Sequence, residues 1–268
     1  AAIAFYIIRN ESKKRESTLL GWLFGFGIFG SGASWVYVSI HDHGAANMPL
    51  ALLMTFLFVA FLALFHAFQF RVFYAVKPVN RSLLTAIVFS SVWILTDWFR
   101  SWILTGFPWL YLGHGHIISP LSSLAPLGGI HTITWAVVFS GACLALLGSA
   151  TNHQQRVKSL APAITIWAIA LLFGQITWTN TLTDTPMKVA VVQGNIPQEL
   201  KWDPEHRVQT ILTYQALSNN YWGYDIILWP ETAIPILVDQ ATTITEPLAK
   251  FAKENKTTLI TGIPYQHP

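Results

Sequence analysis

The chain has 268 residues, of which 53% are hydrophobic and only 11% are charged, with a formal net charge of +3. Soluble domains carry about 25% charged residues, so this composition excludes an ordinary soluble protein and indicates one that resides in a membrane. The charge is divided between residues 1–183, with a net charge of +6, and residues 184–268, with a net charge of −3.

The first 180 residues contain an apolar stub and five predicted membrane spans. A membrane-spanning helix needs roughly 20 apolar residues, and the eight apolar residues at the start of the chain are too few for a span or a signal peptide. Complete apolar stretches follow at residues 17–40, 48–70, 82–102, 127–148 and 160–179. We therefore expect a transmembrane helical domain over residues 1–180, in a fragment that lacks both ends of the whole protein.

Basic residues mark one side of the predicted membrane region. The loops after the stub, the second span and the fourth span hold nine of them, which are Arg9, Lys13, Lys14, Arg15, Arg71, Lys77, Arg81, Arg156 and Lys158. The opposite loops hold only Arg100. Because cytoplasmic loops are rich in Lys and Arg, the nine-residue side is predicted to be cytoplasmic and residues 184–268 to lie outside. The basic pI of about 9.0 is thus a topology signal, and no nucleic-acid partner is expected.

Residues 184–268 alternate between strand-like and helical patterns. The strand runs are MKVAVVQGNI at 187–196, DIILW at 225–229 and TTLITGI at 257–263. Helical patterns occupy about 204–221 and about 242–255, the first with a proline in its first turn. Strands separated by helices of this length pair in parallel, so we predict an α/β layer fold for this domain.

The stretch ILWPETAIP places one acid, Glu231, directly after the second predicted strand. Parallel sheets bind ligands beyond the carboxyl ends of their strands, which favours a functional role over that of a solvated strand end. An apolar setting beside Trp229 would suit a carboxylate that accepts a proton in catalysis. A dinucleotide-binding acid is the natural rival, but QGNIPQ after the first strand offers a single glycine, Gly194, instead of a Gly-rich turn.

Four motifs together resemble the apolipoprotein N-acyltransferase family. They are GFGIFGSGASWVYVSI at 25–40, TGFPWLYLG at 105–113, VAVVQGNIPQELKWD at 189–203 and ILWPETAIP at 227–235. The resemblance implies a helical bundle in the bacterial inner membrane, followed by a nitrilase-like αββα domain that faces the periplasm. It also implies transfer of an acyl chain from a phospholipid, through a cysteine thioester, to the α-amino group of a diacylglyceryl-modified apolipoprotein. No cofactor and no metal are expected.

The family uses a Glu-Lys-Cys triad, in which the carboxylate takes the proton of the thiol and the lysine stabilises the oxyanion. Glu231 matches the family's base, and Trp202 in LKWD matches a tryptophan near its active site that we expect to help bind the substrate. The lysine and the cysteine are expected beyond residue 268, so we expect the 268-residue chain alone to be inactive. Cys143 is interpreted as a buried small apolar residue. Lys250, Lys253 and Lys256 are interpreted as a solvated helix face.

Three features of the membrane region have open interpretations. Asp97 and Arg100 form a charge pair at the interface, or Arg100 attracts a lipid phosphate. The aromatic stretch TGFPWLYLG is an interfacial belt or a wall of an acyl-chain entrance. HDHG at 41–44 suggests a polar turn more than a metal site, because two histidines without further ligands make a weak site.

Two other functions are compatible with the sequence. A membrane-tethered carbon–nitrogen hydrolase would cut an amide with the same triad. A non-catalytic membrane scaffold or transport component would only bind a partner, but transport predicts charges along the spans, and Asp97 is the only acid within a predicted span.

Overall fold

The computed structural model describes residues 1–78 and 82–266. Arg81, one of the nine basic residues used to predict orientation, lies outside these described residues. The chain divides into two compact units, Ala1–Asn180 and Thr181–Pro268. The predicted succession of a helical bundle and an α/β domain with a parallel sheet is confirmed.

The first unit consists of helices joined by short turns. The α-helices are α1 (Ala2–Arg9), α2 (Lys14–Gly32), α3 (Val36–Val38), α4 (Met48–Val76), α5 (Ser82–Arg100), α6 (Ala125–Leu147) and α7 (His153–Phe173). A π-helical turn, Ser39–His43, extends α3, and three 3-10 turns lie between α5 and α6, at Ile103–Thr105, Leu112–His116 and Pro120–Leu124. Within the described residues four helical segments are long and apolar enough to cross a membrane, or five if α2 and α3 count as one bent span.

The first predicted span is not one straight helix. The sequence predicts a span over residues 17–40, but α2 ends at Gly32 and the chain continues as Val36–His43 at an angle of 62° to it. The residues at the bend, GSGAS, are small and weakly helical, and sharp bends concentrate at such Gly/Ser groups. A continuous charge-free run therefore conceals a break that comes from helix propensity.

Side-chain caps determine where two other helices begin. Helix α4 begins after Asn47, whose side chain accepts a hydrogen bond from the Leu50 N–H at 3.0 Å. Helix α7 begins after Asn152, which bonds the Gln155 N–H at 2.9 Å, and so it starts seven residues before the predicted span 160–179. The hydrophobic run alone did not reveal this cap, because the first turns of α7 are polar.

Close packing in the membrane unit depends on small residues and aromatic rings. A Cβ added at Gly21 would lie 2.4 Å from the His66 carbonyl oxygen, so α2 and α4 approach backbone to backbone there. The largest buried cluster includes Phe5, Phe73 and Phe89, with Cys143 fully buried beside them. Burial confirms the interpretation of Cys143 as a core residue.

The second unit contains a three-stranded parallel sheet. Its strands are β1 (Val189–Val191), β2 (Ile226–Leu228) and β3 (Thr258–Ile260), and they lie in the order β1-β2-β3. The connecting segments contain α8 (Gln198–Lys201), a 3-10 turn (Pro204–His206), α9 (Arg207–Ser218) and α10 (Thr242–Glu254). Ile227 in the central strand and Ile234 after it are fully buried, so the sheet's middle and the loop that follows β2 form the core of this unit.

Candidate active site

A cavity of about 230 Å³ lies beyond the carboxyl ends of β1 and β2. It is bordered by residues 193–196, 198, 201, 210, 214 and 230–232. Both loops that leave these strands contribute to it, as expected where parallel strands end side by side. Glu231 is the one carboxylate among the residues that border this cavity.

The loop that carries Glu231 is held tightly against the end of β3. A Cβ added at Gly262 would lie 2.5 Å from the Thr232 nitrogen and 2.8 Å from the Glu231 Cα, so only glycine leaves room for the loop. Thr232 has a φ of 54°, a left-handed conformation that is unusual for a β-branched residue. The Trp229 N–H donates to the Ile260 carbonyl at 2.9 Å and fixes the strand end immediately before the loop. Glu231 is thus positioned through its backbone.

The surroundings of the Glu231 side chain differ from the apolar setting that the sequence suggested. Trp229 is buried, its indole N–H donates to the Ser218 Oγ at 2.8 Å, and its ring lies 5.4 Å from that of Tyr214. The indole therefore packs on α9, while Glu231 is exposed at the edge of the cavity. In a continued strand Trp229 and Glu231, two residues apart, would lie on the same face. The strand ends at Leu228, so the two side chains have different environments.

Lys201 is a residue of this site that sequence reasoning missed. Its ammonium donates a hydrogen bond to the backbone carbonyl oxygen of Glu231 at 3.2 Å, and the residue borders the cavity. Its position before Trp202 in LKWD was the available signal, but a lysine at the end of a short helix is usually solvated.

Trp202 caps the C-terminus of α8 and is 52% exposed. Trp202 does not border the 230 Å³ cavity, so the structure brings Lys201 and Glu231 together and leaves Trp202 beside Lys201 in the chain but outside the cavity. The following turn is well ordered by Asp203, whose carboxylate accepts from the Glu205 N–H at 3.0 Å and pairs with His206 at 2.7 Å. These two contacts, that of Glu205 first, hold the pKa of Asp203 below its usual value.

Arg100 forms a second polar centre, in the membrane unit. Its guanidinium bonds Asp97 at 2.9 Å, and the two side chains are only 3% and 5% exposed. The same group donates to the carbonyl oxygens of Phe107 at 2.6 Å and Trp109 at 2.8 Å. These contacts support the charge-pair interpretation over lipid phosphate, because the buried guanidinium already clips the loop after α5 to the helix.

Comparison with known proteins supports the resemblance seen in the sequence. A family model described as the apolipoprotein N-acyltransferase N-terminal domain matches residues 1–143, and one described as carbon-nitrogen hydrolase matches residues 188–268. The chain is 44% identical to an apolipoprotein N-acyltransferase of Coxiella burnetii over 248 aligned residues. This alignment covers 92% of the chain and 51% of that protein. It is 37% identical to the apolipoprotein N-acyltransferase of Pseudomonas syringae pv. tomato in an alignment of 269 positions, and this alignment covers 98% of the chain and 52% of the Pseudomonas protein. The chain thus spans about half the length of the curated relatives it matches.

Proposed function

Because the chain belongs to the apolipoprotein N-acyltransferase family, we propose that it forms the membrane bundle and part of the catalytic domain of such an enzyme. The reaction moves an acyl chain from a phospholipid to the α-amino group of the diacylglyceryl-cysteine at the N-terminus of an apolipoprotein. The observation that supports this most directly is the position of Glu231, which borders a cavity at the carboxyl edge of a parallel sheet in the segment matched by the carbon-nitrogen hydrolase family.

Glu231 is the general base of the proposed mechanism. It takes the proton of a cysteine thiol, and the thiolate attacks the ester carbonyl of the phospholipid. A lysine ammonium stabilises the oxyanion, and the lysophospholipid leaves with the proton while a thioester remains on the enzyme. The lipoprotein amine then attacks the thioester, an amide forms, and the thiol is regenerated. We assign neither the lysine nor the cysteine of this triad to a residue of this chain.

The proposal includes a location in the bacterial inner membrane with residues 184–268 on the periplasmic side. It is supported by the distribution of basic residues along the sequence, nine on one side of the predicted spans against one on the other. Both substrates have acyl chains anchored in the bilayer, so a catalytic domain tethered to a membrane bundle suits them. Trp202, exposed beside Lys201, is proposed to contact one of these lipid substrates.

Replacing the base tests the proposal. In the intact enzyme Glu231→Gln should lower formation of a labelled acyl-thioester from phospholipid by about 10²-fold or more, since general-base catalysis contributes roughly 10²–10⁴-fold. Glu254→Gln, which changes an exposed carboxylate in α10, is the matched control and should remain within about twofold of wild type. Equal activity of the two variants would reject Glu231 as the base.

The carbon-nitrogen hydrolase match alone also fits an amidase. The match of residues 1–143 to the N-terminal domain of the acyltransferase family favours acyl transfer, because it covers the membrane region as well. Trapping a thioester from labelled phospholipid separates the two, since an amidase would yield no lipid-derived adduct. A wild-type enzyme that forms no adduct and acylates no lipoprotein would contradict the proposed function.

A further inference from the structure

The Glu231 cavity is bordered by two chain segments that meet through a lysine. Lys201 and Glu231 are 30 residues apart in sequence, and the Lys201 ammonium bonds the Glu231 carbonyl oxygen at 3.2 Å. Both residues border the same cavity. The hydrogen bond of the lysine is exposed to solvent and is made to the backbone that carries the proposed base.

The Glu231 loop is restrained from two directions. At the β3 end, the Gly262 N–H approaches the Pro230 carbonyl at 3.4 Å and the Ile234 N–H approaches the Gly262 carbonyl at 3.4 Å. These are long hydrogen bonds, and long bonds are weak. The bond from Lys201 is 3.2 Å long, has a charged donor and comes from α8, which precedes the loop in sequence, whereas β3 follows it.

Lys201 also belongs to the compact turn that ends in Trp202. Its own N–H donates to the Pro197 carbonyl at 3.1 Å, and the Asp203 N–H donates to the Leu200 carbonyl at 3.2 Å. The Trp202 N–H donates to the Leu200 carbonyl as the helix cap. Because these bonds make residues 197–203 one small folded turn, a tie at Lys201 restrains Trp202 together with the lysine.

We propose that Lys201 is a positioning residue that latches the Trp202 turn to the backbone of Glu231. One hydrogen bond thus sets the distance between the two residues that sequence reasoning placed in the site. Lys201 acts through Glu231 and Trp202 and takes no part in bond making. Its effect on acyl transfer rests on the proposed function, whereas the latch itself is a property of the structure.

The latch is tested first by amide hydrogen exchange in the intact enzyme. Lys201→Met keeps the aliphatic stem and removes the donor, so exchange of amides in residues 198–203 should become about tenfold faster, as expected from loss of one charged hydrogen bond. Lys201→Arg retains a donor and should restore most of the protection. Lys250→Met removes an exposed lysine of α10 and is the matched control, with no change in residues 198–203.

The second test measures acylation of the enzyme by phospholipid. Lys201→Met should lower kcat for thioester formation about tenfold with little change in KM, because a misplaced base weakens only the transition state. The fold-loss of activity in the double variant Lys201→Met/Trp202→Ala should be smaller than the product of the fold-losses of the two single variants, since both residues act through one turn.

The hydrogen-exchange test and the acylation test can fail independently. Exchange in Lys201→Met equal to that in Lys250→Met would overturn the latch whatever the enzyme's activity. Faster exchange with unchanged kcat would overturn the link between the latch and the base. A wild-type enzyme without acyl transfer would refute the proposed function, while the exchange result would still decide whether the latch exists.

Discussion

At the scale of single residues, the site depends on backbone placement more than on side-chain contacts of the acid. The Glu231 main chain is flanked by Gly262 on the β3 side and accepts the Lys201 ammonium at its carbonyl oxygen. Thr232 adopts a left-handed conformation next to it. Such a backbone conformation costs on the order of 1–3 kcal/mol of folding free energy, and it persists only where the surrounding structure enforces it.

Gly262→Ala should therefore damage the site from the side of the sheet. The added methyl group would lie 2.5 Å from a backbone nitrogen that cannot move freely, so we expect a loss of about 1–3 kcal/mol in the free energy of unfolding of this domain. The rate of acyl transfer should fall by more than the fraction of folded protein does, because the Glu231 loop must move away from the added methyl group. Gly27→Ala, where the added Cβ would meet no atom within 4 Å, is the control for thermal unfolding and activity. Equal effects of the two changes would contradict this packing argument.

The sequence singled out Glu231 and Trp202 as candidates but gave no reason to single out Lys201. An acid after a strand and a tryptophan in LKWD stand out by residue type and by position in a motif. The lysine's role comes from a contact across 30 residues, which exists only once β1 and β2 are paired and α8 is folded. Similarly, the burial of Trp229 away from Glu231 depends on Ser218 and Tyr214 of α9. Hydrophobic patterns carry no information of that kind.

At the scale of elements, periodicity and length predicted the helices and strands, and local chemistry set where they end. The bend after Gly32 and the early start of α7 both follow from small residues and caps rather than from hydropathy. The loop after α5 is held by hydrogen bonds to a buried guanidinium. Arg100 clips it through Phe107 and Trp109, although Leu104, Thr105 and Leu110 adopt positive φ.

The two aromatic residues in that loop should respond differently to truncation. Phe107 packs against the rings of Phe29 at 6.2 Å and Phe58 at 5.4 Å, so Phe107→Ala should cost about 2 kcal/mol or more of stability. Trp109 is 58% exposed, so Trp109→Ala should change stability by less than about 1 kcal/mol.

If the loop is a wall of the acyl-chain entrance, Trp109→Ala should still lower phospholipid-dependent thioester formation about tenfold, a loss of contact worth roughly 1.4 kcal/mol. Thermal unfolding and acylation measured on the same preparations provide the comparison. Activity that falls only as far as stability does in both variants would leave the interfacial belt as the loop's role.

At the scale of the whole molecule, charge is divided in the same way as structure. The helical unit carries the excess of basic residues and the α/β unit carries the excess of acids. Acidic residues contribute little to topology, so the proposed orientation depends on the basic residues. The proposed chemistry requires that residues 184–268 face the compartment where lipoproteins are processed.

Reporter fusions check this orientation. A phosphatase that is active only outside the cytoplasm should be active when fused after Thr179, and a fluorescent protein that folds only in the cytosol should be dark there. The reverse pattern is expected for fusions after Ala150, in the turn between α6 and α7, next to Arg156 and Lys158 in the first turns of α7. Cytosolic signals at Thr179 would make lipoprotein acylation impossible for this chain.

The bend at Gly32 also fixes a level within the bilayer. The uncharged part of α2, from Ser17 to Gly32, has 16 residues, and at about 1.5 Å per residue it rises about 24 Å, most of the roughly 30 Å of hydrocarbon. Backbone groups that leave a helix need polar surroundings, so the break at residues 33–35, between α2 and α3, belongs near the depth of the phospholipid headgroups. Tyr37 and His41, whose rings lie 5.3 Å apart, then anchor the chain in that layer, and HDHG becomes a marker of membrane depth.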